Sequence, residues 1–142
     1  MSRSEAAWIR VQEQAFTSWM NDTVKQRGLE VKDLRTDLQD GIKLINFFEI
    51  LAGRDVPMKY DRKPVQRIQK ISNLHIALSF LERQMAVRNP GCSAEDIIDA
   101  ETRGIKLILG LLWTLYRLYR MRVDLGDGKK KGREEDMLLE WV

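Results

Sequence analysis

Apolar residues recur at intervals of three and four along most of this chain, the spacing that places them on one face of an α-helix. The first run starts after Ser4, a predicted N-cap, and stops just before Gly28, which is predicted to end the helix in the left-handed conformation. A second helix is predicted to begin at Asp37 or Asp40 and to end before Gly53. We therefore predict two long helices in the first part of the chain.

The middle of the chain alternates between loop and helix signals. Residues 54–66 contain two prolines and no periodicity, which predicts a loop. Helical spacing returns over residues 65–85 and puts Ile68 and His75 on the apolar side, where we expect the histidine to be a hydrogen-bonded structural residue. The segment Ser93–Asp96 then resembles a capping box and predicts the start of a short helix.

A last long helix is predicted over residues 100–122. Nearly every residue from 105 to 119 is apolar, so this helix is expected to lie at the centre of the domain, with Leu109 and Trp113 among the least exposed residues. Trp8, Phe16 and Trp19 are also expected in the core, with an exposed Trp8 as the exception. The polar positions of the last helix form one narrow stripe: Lys106, Gly110, Thr114 and Arg117, extended by Arg103.

Composition supports an all-α fold and argues against several functional classes. The chain has 142 residues, 44% hydrophobic and 32% charged, with only 9 Gly and 3 Pro, which suits one helical domain. One histidine and one cysteine exclude the common all-protein zinc sites and an internal disulfide. Cys92 has no histidine near it in sequence and is expected to be a plain thiol. Since no acid–base or nucleophile constellation is present, we expect neither an enzyme nor a cofactor.

The pattern changes after the last helix and divides the chain into three parts. Residues 1–122 are expected to form the domain, and residues 123–133, rich in Gly and Lys, a flexible basic linker. Residues 134–142 resume helical spacing, but nine residues cannot fold alone. We expect them to be the truncated start of a second domain.

Four segments resemble the signatures of the calponin-homology domain in their usual order. They are Gln14–Trp19, Asp33–Leu44 with its Asp-Gly-apolar-basic-Leu helix start, Lys70–Leu81, and Asp96–Asp99 followed by Ile108–Trp113. The resemblance covers residues 13–122 and is greatest to the first domain of the tandem pairs in alpha-actinin, filamin, spectrin and dystrophin. The segment at residues 100–104 is about three residues longer than in the usual pattern. The last helix is therefore expected to begin earlier, or the loop before it to bulge.

The resemblance implies an all-α fold of four main helices with shorter connecting helices, the last long helix being central. It also implies filamentous actin as the partner, a cytoplasmic, cytoskeletal location, and a second calponin-homology domain in the full-length protein. Residues 54–70 carry six cations and two anions, a surface that acidic actin would attract. The implied actin-binding residues are Gln14, Thr17, Ser18, Asn21, Asp22 and Lys25 on the first helix, Lys59, Lys63 and Arg67 in the basic segment, and Arg103, Lys106, Thr114 and Arg117 on the last helix.

Two alternatives remain open from the sequence. A signalling or scaffolding module would bind a partner protein other than actin. Binding to an anionic phosphoinositide surface would use Lys59, Lys63 and the lysines at 129–131. The net charge of +3 is mixed in sign along the chain, and we expect no nucleic-acid partner.

Overall fold

The computed structural model describes residues 3–128, with side-chain positions for residues 3–120. Within these residues the fold is all helical and contains no strand, which confirms the predicted class. A short 3₁₀ turn, Lys25–Arg27, follows the first helix. The six α-helices are α1 Arg3–Val24, α2 Ile42–Ala52, α3 Arg67–Arg83, α4 Ala94–Ile98, α5 Ala100–Arg103 and α6 Lys106–Gly128.

Glycine sets two of the helix boundaries. Gly28 ends the first helical segment with a left-handed φ of 71°, as predicted. Gly41 immediately precedes α2 with a φ of 80°, while the Asp40 carboxylate accepts a hydrogen bond from the Ile42 N–H at 3.0 Å. A Cβ on Gly41 would lie 2.6 Å from the Cβ of Asn73 on α3. The Asp-Gly pair therefore both starts α2 and allows α3 to approach it closely.

The core lies around α2, none of whose residues is exposed. Six consecutive residues, Leu44–Glu49, are buried, and α2 packs against both α1 and α3. Aromatic rings join α1, α2 and α6, since Trp19 makes an edge-to-face contact with Phe47 at 4.9 Å between centroids and with Tyr116 at 5.4 Å. These contacts fix the orientation of α1, which carries part of the predicted site.

The region before α6 differs from the single long helix predicted there. Ser93 and Asp96 form the predicted capping box of α4. Residues 100–103 then form the separate helix α5. Gly104, with a φ of 94° and a ψ of 179°, ends this helix, and α6 starts at Lys106. The extra residues are thus accommodated as a short helical turn.

The C-terminal boundary also differs, because α6 continues to Gly128, six residues beyond the predicted end of the domain at Arg122. The first residues of the predicted linker are therefore helical. The rest of that linker and the predicted start of a second domain at 134–142 lie outside the described residues. The division into two domains stays a prediction.

Three side chains predicted to be buried are more exposed than expected. Ile68 and His75 are exposed, because both lie on the same side of α3, outside the arc between Phe80 and Leu78 that holds the buried residues of the helix. Trp113 is half-buried at the boundary between α1 and α6, while Leu109 is buried as predicted. Consequently α6 is less enclosed than its apolar sequence predicts.

Of the other aromatic residues predicted for the core, Phe16 is buried, and Trp19 is half-buried and packs against the core. Trp8 is 58% exposed, the exception that the sequence allowed for. It lies one turn from the start of α1, beyond the ring cluster. The exposed face of α1 is thus partly apolar.

Candidate protein-interaction surface

The predicted polar residues of α1 lie together along one groove. Gln14, Thr17, Ser18, Asn21 and Asp22 line it on the α1 side, and residues 32–35 of the connector close the other side. The connector is held in place by Arg35, which forms an ion pair with Glu13 of α1. The groove is open and mostly polar, so it is suited to a protein partner that offers hydrogen-bonding groups.

Asn21 has a role within the fold that the sequence did not predict. Its side-chain amide donates to the Val31 carbonyl and accepts from the Val31 N–H. Both polar atoms are therefore occupied in holding the connector against α1. Asp22 and Lys25, by contrast, form only a loose 3.8 Å ion pair in which both side chains are about 70% exposed. They remain accessible to a partner.

The basic loop before α3 is fixed by a buried asparagine. Asn73 is 1% exposed; its side chain accepts from the Asp61 N–H at 2.9 Å and donates to the Asp61 carbonyl at 2.8 Å and the Asp40 carbonyl at 3.0 Å. The Asp61 carboxylate in turn accepts from the Lys63 N–H at 2.9 Å. One side chain thus connects the loop to the start of α2.

Lys59 and Lys63 project from this fixed loop into solvent. Both side chains are exposed, and neither has a charged partner within ion-pair distance among the described residues. Arg62 lies between them in sequence, with its guanidinium 4.7 Å from the centre of the Tyr60 ring. Since Tyr60 packs against the core, the loop presents its cations from a supported backbone.

Arg67 and Arg103 form an ion-pair cluster with two aspartates. Arg67 donates two hydrogen bonds to the Asp99 carboxylate, at 2.7 and 2.8 Å, and Arg103 donates to Asp96 at 3.0 Å. The hydrogen bond from Arg67 holds the pKa of Asp99 below its usual value, and hydrogen bonds from Ser93 do the same for the pKa of Asp96. These two arginines connect α3, α4 and α5, so their charge is largely compensated.

The predicted residues of α6 lie beside the N-terminal half of α1. Lys106 is 3.7 Å from Glu5, and the Thr114 hydroxyl donates to the Gly110 carbonyl at 3.0 Å. The Arg117 guanidinium lies 5.6 Å from the centre of the Trp113 ring. The indole N–H of Trp113 donates to Gln12 at 2.6 Å and thereby joins the two helices. Lys106 and Arg117 are both exposed, and Lys106 lies beside α1.

The structure thus assigns the predicted site residues to two groups. One group is available to a partner: Gln14, Thr17, Ser18, Asp22, Lys25, Lys59, Lys63, Lys106 and Arg117. The other group is hydrogen-bonded within the domain: Asn21, Thr114, and Arg67 and Arg103, the two arginines still being about half exposed. The anchoring role of Asn73 was not predicted from the sequence, although the residue lies in the Lys70–Leu81 signature. The sequence pattern also contains no indication that Asp96 and Asp99 are partners of arginines.

Neither a metal centre nor a reactive thiol is found in the part of the chain that the structure describes. No group of three or more His, Cys, Asp or Glu side chains there could hold a metal ion. Burial raises the pKa of the Cys92 thiol to about 12, so the thiol stays protonated at neutral pH, as expected of a plain thiol. No helix between residues 3 and 128 is long and apolar enough to cross a membrane.

A compact helical core that presents polar and basic side chains on its surface defines an interaction module. The sequence pattern matches the calponin homology (CH) domain family over residues 10–121, and the chain belongs to that family. This confirms the resemblance on which the sequence-based fold prediction depended.

Several curated proteins are similar to this chain over nearly its whole length. Cortexillin-2 of Dictyostelium discoideum is 43% identical over 135 residues, 94% of this chain and 29% of that protein. Filamin-A of Drosophila melanogaster is 36% identical over 145 residues, 97% of this chain and 6% of that protein. Guanine exchange factor for Rac 30 of Dictyostelium discoideum is 38% identical over 125 residues, 88% of this chain and 7% of that protein. The chain therefore spans less than a third of each of these relatives.

Proposed function

We propose that this chain is the filament-binding module of a longer cytoskeletal protein, with filamentous actin as its partner and no catalytic role. The observation that carries the proposal is the rigid basic loop, in which Asn73 holds the backbone while Lys59 and Lys63 stay exposed. Membership of the calponin homology family and the similarity to a filamin support actin as the partner. Acidic groups on the filament would then meet cations already held in place.

The proposed surface combines three elements. The groove on α1 offers hydrogen-bonding side chains such as Gln14 and Ser18, the loop offers Lys59 and Lys63, and α6 offers Arg117. Exposed cations chiefly increase the association rate and set the orientation of docking, while hydrogen bonds and apolar contacts slow dissociation. Asn21, Arg67 and Arg103 hold these elements in position through hydrogen bonds within the domain, and the two arginines remain exposed.

The setting of this module is part of the same proposal. The similar proteins are at least three times as long as the segment they share with this chain. We place residues 134–142 at the start of a second calponin-homology domain, and the whole protein at the cytoskeleton in the cytoplasm. Two such domains in tandem would form the complete actin-binding unit.

Co-sedimentation with actin filaments tests the proposal directly. The parent should pellet with filaments in a saturable way, and added salt should weaken its binding, because the Debye length falls from about 10 Å at 0.1 M ionic strength to about 3 Å at 1 M. The double variant Lys59→Glu/Lys63→Glu should bind at least about tenfold more weakly at low salt, with an unchanged helical spectrum.

Arg83→Glu/Arg88→Glu is the matched control. Both arginines are exposed, lie at or beyond the opposite end of α3, and change the net charge of the chain by the same amount when reversed. This variant should retain most of the binding. Equal losses in the two double variants would mean that only the net charge matters, and unchanged binding of the lysine variant would exclude the basic loop from the interface.

A signalling or scaffolding module is the second candidate. The observation that favours it is the similarity to an exchange factor for Rac, whose name refers to a signalling protein. In that case the parent should fail to pellet with filaments at any salt concentration. Affinity capture with the same surface, lost in the Lys59→Glu/Lys63→Glu variant, would then identify a protein partner other than actin.

A further inference from the structure

Two aliphatic side chains stand exposed at the corner where the basic loop becomes α3. Val65 is 81% exposed and Ile68 is 68% exposed, the two largest values among the exposed large hydrophobic residues that the structure describes. Val65 immediately precedes Gln66, the N-cap of α3, and Ile68 lies in the first turn of the helix, so the two side chains lie on either side of the helix start. Lys63 lies two residues before Val65 and is also exposed.

This corner is rigid, and its rigidity has identifiable causes. The Gln69 side-chain carbonyl accepts from the N–H groups of both Val65 and Gln66, at 2.8 Å each. Arg67, between the two aliphatic residues, is fixed by its paired hydrogen bonds to Asp99. Immobilising such a corner on binding would cost little conformational entropy, because the fold has already restricted it.

Packing inside the domain does not account for the two side chains. A hydrophobic residue just before a helix cap often packs against the fourth residue of the helix, but here that residue is Lys70. Ile68 lies away from the buried face of α3, which is formed by Leu74, Leu78 and Leu81. A partner that covered both side chains would remove their apolar surface from water without having to order the segment that carries them.

We propose that Val65 and Ile68 form the apolar contact of the filament-binding surface and insert into an apolar depression on actin rimmed by acidic groups. This inference rests on the proposed function and deepens it, since it names the element that slows dissociation. The argument for actin is continuity and charge: the pair follows directly on Lys59 and Lys63 along one fixed loop. The lysines would direct docking, and the pair would retain the bound filament.

The test is filament co-sedimentation of Val65→Thr/Ile68→Gln at several salt concentrations. We expect about a tenfold loss of affinity, of similar size at low and high salt, because burial of apolar surface is not screened by ions. The loss in Lys59→Glu/Lys63→Glu should instead shrink as salt rises. Val65→Ile/Ile68→Leu, which keeps the corner apolar, is the matched control and should bind like the parent.

The outcomes separate this inference from the proposed function. A parent that does not pellet with filaments refutes both. A parent that binds through its lysines, together with an unaffected Val65→Thr/Ile68→Gln variant, refutes only the apolar contact. Flotation with phosphatidylcholine vesicles containing phosphatidylserine completes the design: if the Thr/Gln variant lost vesicle binding and kept filament binding, the corner would be a membrane contact and our assignment would be wrong.

Discussion

Replacing Asn73 by alanine should weaken the fold and release the basic loop. Asn73 is buried and makes three hydrogen bonds to the backbone, two to Asp61 and one to Asp40. Each is worth about 1 kcal/mol net, and each backbone group left unpaired out of water adds to the cost, so the free energy of unfolding should fall by about 3–5 kcal/mol. Asn73→Asp should be no better, since a carboxylate would face two carbonyl oxygens.

Urea unfolding followed by circular dichroism measures this effect. With a slope of about 2 kcal/mol per M, the midpoint should fall by roughly 2 M. His75→Ala is the control, because His75 is exposed two residues further along the same helix and should change stability by less than about 0.5 kcal/mol.

Limited trypsin digestion gives a second, local readout. In Asn73→Ala, cleavage after Lys59 and Arg62 should accelerate more than cleavage at other exposed sites, because the loop loses the bonds that hold it closed. If Asn73→Ala stays within about 1 kcal/mol of the parent and its loop is cut no faster, Asn73 does not fix the loop. Our account of how the basic side chains are presented would then be wrong.

Two further predictions concern packing and acid stability. Trp113→Ala should lower the free energy of unfolding by about 3 kcal/mol, because it removes ring contacts with Phe16 and Tyr116 and the hydrogen bond to Gln12. Trp8→Ala, at an exposed position, should lower it by less than about 0.5 kcal/mol. Equal shifts in the melting temperature of the two variants would contradict this prediction. The pKa of Asp99 is lowered in the folded state, so its contribution to stability is present above the unfolded pKa of about 3.9 and disappears as pH falls through the folded value. Asp99→Asn should therefore be less stable than the parent at pH 7, and the difference should disappear as pH falls below the folded pKa of Asp99. A difference in urea midpoint that stays constant with pH would refute the assignment.

The sequence by itself determined most of the helical framework. Gly28, Gly53 and the Ser93–Asp96 pair lie where the helices end or begin, because capping depends on local backbone conformation and on side chains three residues away. The signatures and their order were sufficient to identify the family. The exposed cations Lys59 and Lys63 could also be predicted, since a loop with an excess of positive charge does not pack against itself.

Only the tertiary structure decided which polar residues are hydrogen-bonded within the domain. Asn21, Arg67 and Arg103 resemble their neighbours in sequence, yet each is bound by a group that folding brings close, such as Asp99, which lies 32 residues from Arg67. The apolar spacing of α3 likewise put Ile68 on the core side. Its exposure depends on which arc of the helix meets α2 and α4, and the close approach of Asn73 to Gly41 lies within that arc. Periodicity shows that a helix has an apolar face, but the neighbouring helices determine how wide the buried part of that face is.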